Sequence, residues 1–126
     1  MSTNKDQLRQ RIIECSYELF VVQGIKPVTM DDVAHNVGIS KRTLYEIFQN
    51  KESLVAEALL YHHNVSIAEI ESIKSRNLNV LETFLSIFKY SLDKYKVFST
   101  QFLQDLERYP SAKGILLQGQ SFEVDE

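Results

Sequence analysis

The sequence predicts an all-α fold: a small N-terminal three-helix lobe joined by a long fourth helix to a further helical region. Three observations carry this. Apolar residues recur at helical spacing along most of the chain. Residues that cap helix N-termini stand immediately ahead of those runs. Helix breakers are scarce, with 4 Gly and 2 Pro in 126 residues, so long helices meet few interruptions.

The first helix is expected over about 5–23, with Leu8, Ile12, Cys15 and Leu19 as its stripe, widened by Ile13 and Phe20. Gly24 ends it. Thr29 and Asp32 make an acid variant of the capping box, with Val28 and Val33 as a hydrophobic staple. Gly38 supplies the permissive backbone for a sharp helix end. Ser40 is the next N-cap, with Ile39 and Leu44 as its staple, and Asn50 caps a fourth helix with Glu52 in its first turn. Three caps within 22 positions leave room only for helices of two to three turns. The fourth helix is expected over 51–74, through Leu54, Ala58, Tyr61, Val65 and Ala68. A helix that long must bridge the first lobe to the helical region beyond it. Asn77 and Asn79 break the pattern. A fifth helix over about 79–95 carries Leu81, Phe84, Leu85, Phe88, Leu92 and Tyr95. A sixth over about 97–109 carries Phe98, Phe102, Leu106 and Tyr109, and Pro110 stops it. A short apolar helix over 111–118 and a polar, acidic tail complete the reading.

Two short helices joined by a glycine turn, with another helix directly behind, are the sequence form of a helix-turn-helix. Val33, Ala34 and Val37 share one face of its first helix. Leu44 and Phe48, four apart, give the second its buried side. Ser40, Lys41, Arg42, Thr43 and Tyr45 then lie at the start of the second helix, where a recognition helix meets base edges in the major groove. Lys and Arg donate to guanine acceptors, and a threonine methyl can touch a thymine methyl. Tyr45 and Lys51 are long enough to reach phosphates and fix the register, and Thr29 is counted with them among the DNA-binding residues.

These residues resemble the tetracycline-repressor (TetR) family of bacterial transcription regulators. The run Thr43-Leu44-Tyr45, the aromatic Phe48, and Asn50-Lys51 with Leu54 match that family's recognition helix and the start of its fourth helix. Upstream, Phe20 and the loop Gly24-Ile25-Lys26-Pro27-Val28-Thr29 match its lead into the second helix. The resemblance is specific over about 5–60. It implies a DNA-binding domain over 1–50 and a helical ligand-binding and dimerisation region over 51–126. It further implies a cytoplasmic homodimer on a palindromic operator in double-stranded DNA, repressing until a small apolar effector binds. The pocket would be lined by Tyr61, His62, Phe84, Phe88 and Phe102. Family members run considerably longer, so the resemblance also implies a truncated product or a short variant.

Composition sets bounds and alternatives. The net charge is −3. Residues 1–56 carry seven basic side chains (Lys5, Arg9, Arg11, Lys26, Lys41, Arg42, Lys51) and seven acidic ones. A DNA binder usually shows a basic footprint, so few phosphate contacts are expected. The competing reading is a helical protein-interaction module that does not bind DNA. Enzyme chemistry is not expected, because the sequence has no nucleophile–base pairing, phosphate-binding glycine loop or metal-ligand spacing. Cys15 reads as a small core residue, and His35 as solvent-facing. The adjacent His62 and His63 lack an i, i+4 ligand partner, so no metal or cofactor is expected. The aromatics at 84, 88, 95, 98 and 102 read either as plain core or as the wall of an effector pocket. No run reaches the roughly 20 apolar residues of a membrane span, and the polar N-terminus lacks a signal-peptide core.

Overall fold

A computed structural model describes residues 3–110. The fold is all-α: α1 (Asn4–Gln23), α2 (Met30–Val37), α3 (Lys41–Ile47), α4 (Lys51–Lys74), α5 (Val80–Tyr95) and α6 (Thr100–Asp105), then a 3-10 turn (Leu106–Arg108). The described residues contain no strand. The expected helix over 111–118 and the tail lie outside them.

The caps are made by the residues whose chemistry suits them. Thr3 and Asp6 close a capping box on α1, and Thr29 and Asp32 close another on α2. Ser40, Asn50, Asn79 and Ser99 each accept a hydrogen bond from the backbone N–H three residues on. Each such cap contributes roughly 0.5–2 kcal/mol relative to alanine.

One apolar core holds α1–α3, the first half of α4, and α6. It includes Ile12, Phe20, Ile25, Val28, Val33, Leu44, Leu54, Val55, Leu59 and Phe102, each almost wholly buried. Burying a side chain of this size stabilises the fold by roughly 1.5–3 kcal/mol. The second half of α4 leaves that core. There Ser66, Ile70 and Ile73 are buried, and the Tyr90 hydroxyl of α5 donates to Ser66 Oγ at 3.4 Å.

Three expectations need correction. The buried side of α1 is Ile12, Ile13, Ser16, Tyr17, Phe20 and Val21, whereas Leu8, Cys15 and Leu19 are only partly buried. Helix α1 packs against α2, α4 and α6 together, so its seam is turned from the stripe that spacing alone suggests. The sixth helix is shorter than expected. Ser99 caps it, and its N–H donates to Val21 O of α1 at 2.8 Å, so the chain turns at 96–99 to reach that bond. The third correction concerns α5. Its periodicity is helical as expected, but Leu81, Phe84, Leu85, Phe88, Leu92 and Tyr95 face solvent, and no α5 residue is fully buried.

Candidate nucleic-acid interface

The turn between α2 and α3 is built on Gly38, whose φ of 86° lies in the left-handed region where glycine carries no Cβ penalty. The N–H groups of Gly38 and Ile39 both donate to Ala34 O, at 2.9 and 3.0 Å. This satisfies the helix end and swings the chain into α3. Ala34 is 3% exposed, and its small side chain lets α3 pass close. Leu44 and Phe48 are buried beneath α3, so their placement fixes which face of α3 points outward.

That outward face carries Ser40, Lys41, Arg42 and Tyr45, all exposed, with Thr43 half-buried beside them. Ser40 Oγ accepts from the Thr43 N–H at 3.1 Å and donates to Thr43 Oγ1 at 2.9 Å. The cap therefore also orients Thr43. Lys41 Nζ lies 3.2 Å from Asp31 Oδ1, and Arg42 Nε lies 3.4 Å from Glu46 Oε1. Solvent-exposed pairs of this kind contribute roughly 0–1 kcal/mol, so an incoming anion can displace the acid partner. Thr29 stands exposed at the start of α2, where its amide and hydroxyl hold the Asp32 carboxyl below the usual carboxylate range. Lys51 stands apart from this face. Its Nζ donates to Lys26 O at 3.4 Å. Desolvation pushes its ammonium below the usual lysine value, while Asp105 and Asp32 pull it back up.

Residues that sequence reasoning missed hold this face in place. The Arg11 guanidinium of α1 donates to Val37 O at 2.6 Å, capping the C-terminus of α2. Arg9 lies 4.5 Å above the Phe48 ring centroid and pairs with Glu57 of α4 at 2.6 Å. Asp105 is 2% exposed. It accepts the Lys26 N–H at 2.7 Å and the Gln101 side-chain amide at 2.8 Å, tying α6 to the loop that enters α2. Apart from the local Gln101–Asp105 bond, these partners are 26 to 79 residues apart in the chain, so no local pattern reveals them.

The five residues expected to line a pocket do not share one cavity. The Tyr61 hydroxyl donates to Glu14 Oε1 at 3.0 Å. His62 stacks on Tyr17 with ring centroids 3.9 Å apart. Burial first, and then Lys94, push the His62 imidazole down to about 4. Two open clefts flank this stack. One, of about 480 Å³, is lined by Glu14, Glu18, Tyr61 and Val65. The other, of about 320 Å³, is lined by Tyr90, Asp93, Lys94 and Val97. Phe84 and Phe88 stack with each other at 6.1 Å on the exposed side of α5. Phe102 is sealed in the main core, edge-on to Phe98. The separation follows from α5 turning its apolar side away from α4 and from α6 docking on α1.

The profile of "Bacterial regulatory proteins, tetR family" matches residues 12–58, from the first turns of α1 to the core-facing part of α4. Over this segment the chain is similar to that family. Three relatives are named as HTH-type transcriptional regulators. The uncharacterised regulator YerO of Bacillus subtilis (strain 168) is 32% identical over 69 residues, 55% of this chain and 24% of that protein. One from Staphylococcus aureus (strain USA300) is 27% identical over 107 residues, 85% of this chain and 57% of the relative. Another, from the bovine strain RF122 / ET3-1, is 32% identical over 85 residues, 68% of this chain and 44% of the relative. The chain thus spans between 24% and 57% of the length of these relatives. No solved structure matches it. Among its described residues no helix is long and apolar enough to cross a membrane.

Proposed function

We propose that this chain is a sequence-specific DNA-binding transcription regulator, acting in the cytoplasm as a homodimer on a palindromic operator. The observation that carries this is the outward face of α3. Lys41, Arg42 and Tyr45 are exposed there over a sealed seam of Leu44 and Phe48, inside the segment that matches the tetR family. Two such helices enter successive major grooves on one DNA face when they stand about 34–36 Å apart. The outcome is repression, relieved by a small apolar effector. Helix α4 suits a lever for that relief, because its first half lies in the core of the DNA lobe and its second half lies outside it. The clefts flanking His62 lie against this helix. An effector binding one of two packed states of α4 shifts the spacing of the recognition helices.

The test begins with selection of bound fragments from genomic DNA, followed by titration of the enriched sequence and a scrambled one. Lys41→Ala and Arg42→Ala each reduce discrimination between the two by about 1–3 kcal/mol if each makes a bidentate base contact. Tyr45→Phe weakens both DNAs alike, because it removes a phosphate contact. Failure to enrich any fragment removes the DNA-binding reading. Equal losses on both DNAs for the two cation variants reassign them to the backbone. Operator affinity that no apolar candidate alters leaves the lever without support.

A further inference from the structure

An acid stands on the crest of α3, where a face that meets DNA is least expected to carry one. Leu44 and Ile47 are the residues of α3 packed against the core. At about 100° per residue, Arg42 projects opposite them, and Tyr45 and Glu46 flank it within roughly 50° on either side. Lys41 stands about 90° from that crest, so Glu46 points outward more squarely than the lysine does. The Glu46 side chain is 63% exposed, and its Oε1 lies 3.4 Å from Arg42 Nε.

Folding does not account for this placement. Glu46 lies in the last turn of α3, where the negative end of the helix dipole disfavours an anion. Its partner precedes it by four residues, and an ion pair with the cation on the N-terminal side is the weaker orientation on a helix. The Arg42 side chain is 90% exposed, so water screens the attraction that is left. Asp31, the partner of Lys41, differs. It lies in the first turn of α2, where the dipole favours an acid.

We propose that Glu46 is a base-reading residue that works beside Arg42, its carboxylate accepting a hydrogen bond from the N4 amino group of a cytosine in the major groove. The assignment rests on the DNA-binding reading above and adds a specificity-determining residue to it. Groove chemistry supplies the argument. An ionised carboxylate only accepts hydrogen bonds. Guanine N7 and O6 and thymine O4 are acceptors and repel it, whereas cytosine N4 donates. Adenine N6 donates too, but beside the N7 acceptor of the same base. Phosphates repel the carboxylate on every sequence, so Glu46 costs affinity wherever no donor stands opposite it. Arg42 has the complementary preference, for guanine O6 and N7. Residues four apart rise about 6 Å along a helix, less than two base-pair steps of about 3.4 Å. The two side chains, already in contact, thus fit a guanine and a cytosine on the same or neighbouring base pairs. Each base group replaces the partner that the other side chain supplies in the free protein.

Titration of the enriched sequence, with each base pair replaced in turn, tests this on the wild-type chain, Glu46→Ala and Glu46→Gln. The wild-type chain is expected to prefer cytosine at one base-pair position per recognition helix, within two steps of a guanine whose preference Arg42→Ala removes. Glu46→Ala is expected to reduce the cytosine preference by roughly fivefold or more and to bind the scrambled sequence more tightly. Its circular dichroism spectrum is expected to stay unchanged, since Glu46 fills no core. Glu46→Gln is expected to move the preference at that position toward adenine, whose N6 and N7 a glutamine meets together. A base-pair profile that Glu46→Ala leaves unchanged overturns the assignment, and tighter binding of every DNA alike would reduce the acid to a counter-charge for Arg42. A wild-type chain that enriches no fragment overturns the DNA-binding reading together with it.

Discussion

His62 lies flat on Tyr17 where α1 meets α4, and a protonated ring there loses solvation while Lys94 repels it. Its folded value of about 4 lies below the ordinary 6.5. Between those values the unfolded chain binds more protons than the folded one, so stability rises with pH across that window. The stacked pair is at full strength above pH 6.5 and is lost as pH falls through about 4. Urea midpoints measured from pH 7 to pH 4 are expected to fall. In His62→Phe, which keeps an aromatic ring on Tyr17, the fall is expected to be shallower, because the carboxylates still titrate but the imidazole does not. Matching slopes for the two proteins would remove His62 from the acid response. At this scale the sequence was legible wherever chemistry is local. Thr29, Ser40 and Asn50 sit three residues from the amides they cap, and each was readable as a cap. Arg9 and Arg11 were visible only as charges, because Phe48 and Val37 come near them through tertiary packing.

Two glycines end helices with positive φ, yet their surroundings differ. A Cβ on Gly38 would meet nothing within 4 Å. Gly38→Ala therefore carries backbone strain alone, about 1–2 kcal/mol. A Cβ on Gly24 would collide with the Gln101 side chain and sit 3.2 Å from an Asp105 carboxylate oxygen. Gly24→Ala is expected to cost clearly more than Gly38→Ala in chemical denaturation, because Gly24, with φ 102° and ψ 160°, lies outside the left-handed helical region in one essentially open only to glycine, and the new Cβ must also displace α6. Equal losses would mean that α6 yields freely. The glycine at the end of α1 was readable from the sequence. The helix docked on it was not, since Gln101 and Asp105 lie some 80 positions away. Helix α5 shows the same boundary of legibility from another side. Spacing every three and four residues establishes a helix and an apolar side, but it does not say which neighbour that side meets. Phe84 and Phe88 were readable as a paired stripe and not as solvent-facing.

On the scale of the whole molecule, the proposed DNA binding has little positive charge to draw on. Residues 1–56 balance seven cations against seven anions, and Lys41 and Arg42 already have acidic partners. With Lys41 and Arg42 turned to base edges, even one phosphate neutralised for each of them would give a slope of log affinity against log salt no steeper than about −4 per dimer. Specific binding measured from 50 to 300 mM salt is expected to follow that shallow line, with non-specific binding weak throughout. A slope near −10 would require many more phosphate contacts than the α3 face supplies, and the interface would have to be redrawn to include other surfaces.

Phe102 and Leu106 belong to the same buried cluster as Leu44 and Phe48. The lobe of α1–α3 is therefore not a detachable cassette. A fusion protein that borrows only the first fifty positions would graft an open shell, stripped of the wedge that α6 supplies. Anyone transplanting this specificity onto another scaffold would have to carry the chain through the 3-10 turn, or supply a substitute plug of equal bulk.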